Sequence, residues 1–410
     1  MRLFYNLFLH LYQLGITLAA PFCEKARLWR NGRRNIFKEL STSVAGKPVI
    51  WMHCASLGEY EQGKPLIEKL RHEQPNNSIL VTFFSPSGYE VRKNDPTADF
   101  IFYLPMDTPR NAKRFLDIVK PQAAVFVKYE YWFNYMRELK KRDIPFYYIS
   151  AIFFQQQHFF KWYGSWFRKQ LRQATHFYVQ NQNSEELLRG INIQQVTISG
   201  DTRFDRVARI AKENAPVSEI EQFKGEKKLL ICGSTWGPDE KLLAGLFPKI
   251  KNEYKLVIAP HLIHQEHLNT IAALFADHKI AYFTKKEEFD LAQAEVLIID
   301  TIGLLNKMYR YGDVAHIGGG FETGLHNTLE AAVFGIPIFF GPHYDKFNEA
   351  IELVKRQAAF SVSDLEEMTR LWDKYVEDAE QYAAACQRCR NYVAGNLGAV
   401  EKIKIAMRGE

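Results

Sequence analysis

From Pro48 onward, short apolar runs alternate with stretches of helical periodicity, and the whole alternation occurs twice. In the first series the runs 49–54, 79–84, 100–104, 123–127, 146–149 and 177–180 read as strands, with helical patterns over 59–72, 111–119 and 132–141 between them. The runs are apolar throughout rather than alternating with polar residues, as strands covered on both faces are. A second series follows the polar stretch 211–228, with strands at 228–232, 254–259, 296–300, 313–317 and 337–340 and helices at 239–250 and 327–334. Strands separated by helices make parallel sheets, so the expected fold class is α/β with two Rossmann-like doubly wound domains facing a cleft. The expected division is an N-terminal segment 1–35, a first domain 36–210 and a second domain 211–410. In such sheets ligands sit past the carboxyl ends of the strands, so the loops there are where chemistry is sought.

The length of 410 residues suits two domains better than one core. Lys and Arg are spread along the chain, and a net charge of +6 without a basic block argues against a nucleic-acid tail. The mild excess suits an anionic substrate or membrane surface, and equally an ordinary soluble surface. Five cysteines at scattered positions make no disulfide framework and imply a reducing compartment. Cys386 and Cys389 form a CxxC inside a helical stretch, with no second pair or histidines to complete a zinc site.

Between Arg2 and Glu24 the chain carries no charged residue. Asn6, His10 and Gln13 recur at helical spacing on one face, and Leu3, Phe4, Leu7, Leu11, Leu14 and Leu18 occupy the other. Pro21 ends the segment, and Lys25, Arg27, Arg30, Arg33 and Arg34 follow. A cleaved signal peptide has a compact apolar centre, which this segment lacks. A spanning helix needs about 20 apolar residues, a length only marginally available. A helix lying in the headgroup plane, its basic sequel on anionic lipid, fits the polar stripe best; an amphipathic helix packed on its own domain is the alternative.

Three clusters lie just past strand ends. In Ser56-Leu57-Gly58-Glu59 a carboxylate stands at a helix N-terminus, placed either as a general base or as a partner of the helix dipole. Lys128-Tyr129-Glu130-Tyr131-Trp132 offers a second carboxylate among aromatics, as a sugar platform or as core packing. Gly318-Gly319-Gly320, followed by Asn327-Thr328-Leu329-Glu330, lets backbone amides approach a phosphate, with Glu330 one turn into the next helix to meet ribose hydroxyls. The run matches neither a dinucleotide nor a Walker fingerprint, and no metal-ligand grouping is present.

Taken in order, these motifs resemble the bacterial transferases that attach 3-deoxy-D-manno-octulosonic acid (Kdo) to lipid A precursors. The resemblance rests on the apolar N-terminus, the SxGE turn at Ser56–Glu59, TFFSPSG at 82–88 and YLPMD at 103–107. It continues through KYEYW at 128–132, SGDTRFD at 199–205, GST at 233–235, the GLHNTLEAAVFGIP segment and FGPH at 340–343. It implies the two-domain GT-B fold and a glycosyltransferase that carries Kdo from CMP-Kdo to lipid IVA with inversion, in lipopolysaccharide biosynthesis. CMP-Kdo is then a donor substrate, no cofactor or metal is required, and the partners are the glycolipid acceptor and the anionic cytoplasmic face of the inner membrane, not nucleic acid. The family's base falls on Glu59; Glu130 and Arg203 are implied to assist the transition state. Donor contacts are implied at Pro260 and His261, at Ile302, Gly303 and Leu304, and at Asn327, Thr328, Leu329 and Glu330. The chain departs from the family where His261 replaces a usual Arg, where Ile302-Gly303-Leu304 replaces Met-Gly-Glu, and where Arg203 replaces Lys. The rival expectations are another GT-B enzyme acting on a UDP-sugar, as transferase or epimerase, and a non-catalytic membrane-surface binder.

Overall fold

The computed structural model describes residues 1–407 apart from 45, 214, 215 and 323. It contains two compact units, one made of Met1–Arg206 with Leu397–Glu410 and one of Val207–Asn396. Each is built on a seven-stranded sheet, and every strand pair is parallel.

The first sheet comprises β1 (Val49–Cys54), β2 (Ser78–Phe83), β3 (Phe100–Tyr103), β4 (Ala123–Val127), β5 (Phe146–Ala151), β6 (His176–Val179) and β7 (Val196–Ile198), in the order β3-β2-β1-β4-β5-β6-β7. Successive residues of β1 enter opposite cores: Val49 and Trp51 join Leu80, Phe126 and Tyr148, whereas Ile50, Met52 and Cys54 join Val81, Val125 and Ile149. Burial on both faces is why β1 is apolar except at its end, where His53 begins the functional edge. Trp51 fills the centre of one face, its ring 4.8 Å from Phe115 and 5.3 Å from Phe126, and its indole N–H donates to Thr82 Oγ1.

The second sheet comprises β8 (Lys228–Thr235), β9 (Tyr254–Pro260), β10 (Ile280–Tyr282), β11 (Val296–Ile298), β12 (Val314–Ile317), β13 (Ile338–Phe340) and β14 (Ala359–Ser361), ordered β10-β11-β9-β8-β12-β13-β14. The sequence reading lacked β7, β10 and β14. All three lie at sheet edges and have three residues each, too few to show a pattern.

The C-terminal residues, grouped on sequence with the second domain, return to the first unit. Ile403 and Met407 enter the core beside Tyr147 and Tyr178. The Asp205 carboxylate accepts the Gly398 and Val400 N–H groups, and the Tyr178 hydroxyl both donates to the Lys404 carbonyl and accepts its N–H. With its backbone polar groups matched in this way, an irregular segment can lie against a core.

Helix α1 (Arg2–Ala19) packs on the carboxyl edge of the first sheet through Tyr5, Asn6, Leu9 and Ile16. Its opposite face holds Leu3, Phe4, Leu7, Phe8, Leu11, Leu14 and Leu18 in solvent, Leu3 84% exposed. Among the described residues no single helix is long and apolar enough to cross a membrane; α1 and α2 (Glu24–Asn31) together meet that measure but are bent by 118°. Arg33, read above with the basic cluster, turns inward instead. Its guanidinium lies 4.0 Å from the Trp29 ring and donates to the carbonyls of Phe84 and Leu104, and burial lowers its pKa to about 9. Lys25, Arg27, Arg30 and Arg34 stay exposed.

The anchor under α1 is Asp107, fully buried past β3. It accepts the Tyr5 hydroxyl at 2.6 Å and the N–H groups of Asn134 and Tyr135 at 3.0 and 2.9 Å. Burial pushes its pKa up to about 7 against these bonds. The carboxylate therefore predominates above that pH, where the Tyr5 bond is charge-assisted. Tyr5→Phe is expected to lower unfolding free energy by about 1.5–3 kcal/mol in alkaline buffer and by less in mild acid. Urea denaturation at the two pH values measures the difference.

Candidate active site

Helix α3 (Ile36–Ser43) packs on the first core, and α4 (Leu57–Glu73) begins directly past β1. Ser56 caps α4 in extended geometry, and Glu59, at the third helical position, closes a capping box. One carboxylate oxygen, Oε2, accepts the Ser56 N–H at 3.0 Å and also contacts the Ser56 hydroxyl. The other, Oε1, has no hydrogen-bond partner among the described residues. One oxygen thus serves the helix terminus and fixes the side chain, and the other takes no part in the cap.

Glu130 follows β4, the neighbour of β1, where Lys128 turns the chain with a left-handed φ of 64°. Its carbonyl is held by the Tyr148 hydroxyl. The carboxylate stands 3.5 Å from Nε2 of buried His53. That nitrogen accepts the Trp132 indole N–H at 3.0 Å, and an indole N–H only donates, so the proton of His53 sits on Nδ1, towards the Thr82 carbonyl. In this tautomer Nε2 carries no proton to give to Glu130. Cys54, buried beneath, has its thiol pushed well up by desolvation and then by the charges of Glu59, Glu130 and Glu61. Three carboxylates thus gather over one strand end.

Arg203 opens the helix Arg203–Glu213. Its guanidinium donates to Asp201 Oδ2 from Nη2 at 2.7 Å and from Nε at 2.9 Å. Asp201 also accepts from Gln62, which lies on α4 less than one turn beyond Glu59. Burial alone would raise the Asp201 pKa, but the charge and hydrogen bonds of Arg203 hold it below the usual range. Thr202 donates to the Gln62 carbonyl, so the loop after β7 is fastened to α4. The structure thereby collects Glu59, Glu130 and Arg203 on the carboxyl edge of one sheet. Phe84 connects this edge to the N-terminal helices, its ring 4.7 Å from Trp132 and 6.2 Å from Tyr12.

In the second unit Pro260 ends β9 and His261 follows it, exposed. The His261 ring stacks on both Trp236, 4.6 Å away, and His326, 4.7 Å away. Burial, then the proximity of His261, lowers the His326 pKa to about 4, and its Nε2 accepts the Trp236 N–H at 3.3 Å. The three rings form a platform that is uncharged on the His326 side at neutral pH. Trp236 and His326 were not singled out on sequence; their place just past β8 and β12 was the available signal.

Asn327 donates to Glu330 Oε1 at 3.1 Å and accepts the Leu329 N–H at 3.2 Å, which fixes the Glu330 carboxylate. Thr328 is fully buried, and its hydroxyl finds no partner among the described residues. Leu329 is buried in the core, its N–H taken by Asn327 and its carbonyl by the Val333 N–H. The helix here is Leu329–Ala332, shorter than the span 327–334 read from the pattern. Ile302, 84% exposed, and Gly303, with φ of 92°, lie in the loop past β11, where no ring contact joins Ile302, Gly303 or Leu304 to the platform among the described residues.

The glycine run serves a different purpose from the phosphate cradle read on sequence. The Gly318 N–H donates to the Gly233 carbonyl, and the Gly319 N–H to Asp239 Oδ2 at 3.0 Å. Asp239 is fully buried, bonded also to His316 and the Trp236 N–H, so these amides are consumed in holding the loop. A Cβ on Gly320 would lie 2.7 Å from the Gly341 nitrogen, so the run is glycine because backbones touch there. Thr323, within the same run, lies outside the described residues.

Residues 29–206 match the family model described as 3-deoxy-D-manno-octulosonic-acid transferase (kdotransferase). Over those residues the chain carries the domain of the Kdo transferases, and curated Kdo transferases resemble it over most of its length. It is 27% identical over 319 residues to the 3-deoxy-D-manno-octulosonic acid transferase of Aquifex aeolicus, covering 76% of this chain and 81% of that one. A bifunctional glycosyltransferase/methyltransferase of Fusobacterium nucleatum is 24% identical over 383 residues; the match spans 89% of this chain but only 58% of that longer protein. Among solved structures, the UDP-GlcNAc 2-epimerase of Neisseria meningitidis superposes with a TM-score of 0.61 at 15% identity, over 86% of this chain and 97% of that one. That likeness establishes the GT-B fold alone. The match at 29–206 spans the SxGE turn, Glu130 and Arg203.

Gly320→Ala is expected to destabilise the second unit by about 1–3 kcal/mol, because backbone rather than a flexible side chain must yield. Gly237→Ala, where an added Cβ meets nothing within 4 Å, serves as the control and should leave the urea midpoint in place.

Proposed function

We propose that the chain transfers Kdo from CMP-Kdo to a lipid A precursor of the lipid IVA type, at the cytoplasmic face of the inner membrane. The observation that carries this reading is Glu59, fixed through one oxygen and open at the other, within the part of the chain that matches the Kdo transferases. A base in that state holds its geometry without help from the substrate. Oε1 takes the proton of a glucosamine 6-hydroxyl as its oxygen bonds to the anomeric carbon of Kdo. The bond from that carbon to the phosphate oxygen of CMP breaks, CMP leaves with the electron pair, and configuration at carbon inverts.

Arg203 supplies positive charge as the phosphate departs, and its Asp201 brace keeps it aimed. Glu130 supplies negative charge where the sugar becomes cationic. In the second unit Glu330, held by Asn327, accepts ribose hydroxyls, and the platform of Trp236, His261 and His326 offers a face to the cytosine. Pro260 shapes this end of β9, and the loop of Ile302, Gly303 and Leu304 borders the donor. One phosphate in the leaving group is a charge that these groups can meet without a metal ion. The outward apolar face of α1 supports a position in the headgroup plane, where a glycolipid acceptor presents its sugars. A UDP-sugar reading has only the shared fold in its favour.

Glu59→Gln retains the cap, because a glutamine carbonyl still accepts the Ser56 N–H, but it removes the base. Thermal stability and CMP binding should be unchanged, and turnover should fall by about 10²–10⁴-fold. Retention of more than about a third of wild-type turnover would remove Glu59 from this role.

A further inference from the structure

A pocket of about 340 Å³ opens beside the first turn of α1, between it and the helices Phe133–Lys141 and Ser165–Leu171. Its floor is aromatic: the Tyr5 ring lies 5.0 Å from Phe133, and Phe133 lies 5.0 Å from Trp166, all edge to face. Its rim is cationic, with Arg2 from α1, Arg137 from the second element and Lys169 from the third. All three side chains are exposed, and none makes an ion pair among the described residues. Asp107, which holds the Tyr5 hydroxyl, is fully buried and spends its oxygens on Tyr5, Asn134 and Tyr135. Three unpaired cations from three separate elements around one concavity are an unbalanced charge that an anion would satisfy.

The surroundings say which anion. Arg2 adjoins Leu3 and Phe4, 84% and 72% exposed on the outward face of α1. The segment entering the helix Ser165–Leu171 exposes Trp162, at 92%, and Tyr163, at 44%. Trp and Tyr held in solvent on a segment leading into a pocket-lining helix are residues suited to the headgroup level of a bilayer. We propose that this pocket binds the phosphate of a membrane-lipid headgroup, with the two arginines and the lysine on its oxygens and the lipid chains running along α1. The proposal rests on the reading of α1 as an interfacial helix, and it adds headgroup recognition to what would otherwise be apolar adsorption.

The test uses the full chain and sedimentation with vesicles of phosphatidylcholine alone or mixed with phosphatidic acid. Wild type should bind both and prefer the anionic vesicles. Arg137→Ala with Lys169→Ala should reduce affinity for the anionic vesicles on the order of tenfold or more while leaving binding to neutral vesicles unchanged. Lys140→Ala with Lys141→Ala, which removes equal charge outside the pocket, should reduce the preference far less. Equal losses from the two pairs would mean diffuse surface charge and would overturn the pocket. Millimolar inorganic phosphate should not displace the protein from anionic vesicles; full displacement would mean a site for free phosphate and would overturn the lipid assignment. The underlying reading has a separate signature, because Leu7→Glu with Leu11→Glu should abolish binding to both vesicle types. Wild type bound to neither would overturn both readings, whereas an intact anionic preference in the pocket variant would overturn the pocket alone.

Discussion

A parallel sheet must be covered on both faces, and this requirement decides where everything else in the molecule can be. Because Ile50, Met52 and Cys54 are consumed by one core and Val49 and Trp51 by the other, β1 has nothing left for chemistry until it ends. The same holds for β8 and β9, buried along most of their length. Polar function is thereby forced into the loops at the carboxyl edges. Glu59, Glu130 and Arg203 lie there in one unit, and the platform of Trp236, His261 and His326 with Glu330 lies there in the other.

Loops do not hold catalytic geometry unaided, and in this protein carboxylates hold them. Asp201 braces Arg203 and fastens the loop past β7 to Gln62 of α4. Asp239 secures the glycine run through the Gly319 N–H and His316. Asp107 ties α1 to the first sheet. Each is a buried acid whose oxygens are taken up by donors on separate segments, an arrangement in which removal of one partner leaves a costly unpaired group. Glu59 differs in one respect: half of its carboxylate is used in this way, and half is left open.

Much of this was legible in the sequence. The central strands could be read because a run buried on both faces is apolar without interruption, as in Ala123–Val127. The edge strands β7, β10 and β14 lack that signature, having one neighbour and three residues each. The return of Ile403 and Met407 to the first core had no periodic signal, since the segment is irregular and depends on Asp205, Tyr147 and Tyr178 from distant parts of the chain. Glu59 could be placed at a helix start by its spacing from Ser56, but only coordinates show that one of its oxygens remains unbonded. The glycine run was misread for a related reason. Glycines suit phosphate cradles and touching backbones alike, and the contact between Gly320 and Gly341 joins residues distant in sequence.

The central claim, a Kdo transferase that uses CMP-Kdo, is tested most directly by mass spectrometry of the glycolipid product. The purified chain would be incubated with a tetraacylated lipid A precursor and, in parallel reactions, with CMP-Kdo or UDP-N-acetylglucosamine. The account predicts that the glycolipid gains the mass of one or more Kdo residues with CMP-Kdo and is unchanged with the UDP-sugar. An unmodified glycolipid in the presence of CMP-Kdo, with conversion of the UDP-sugar, would contradict it.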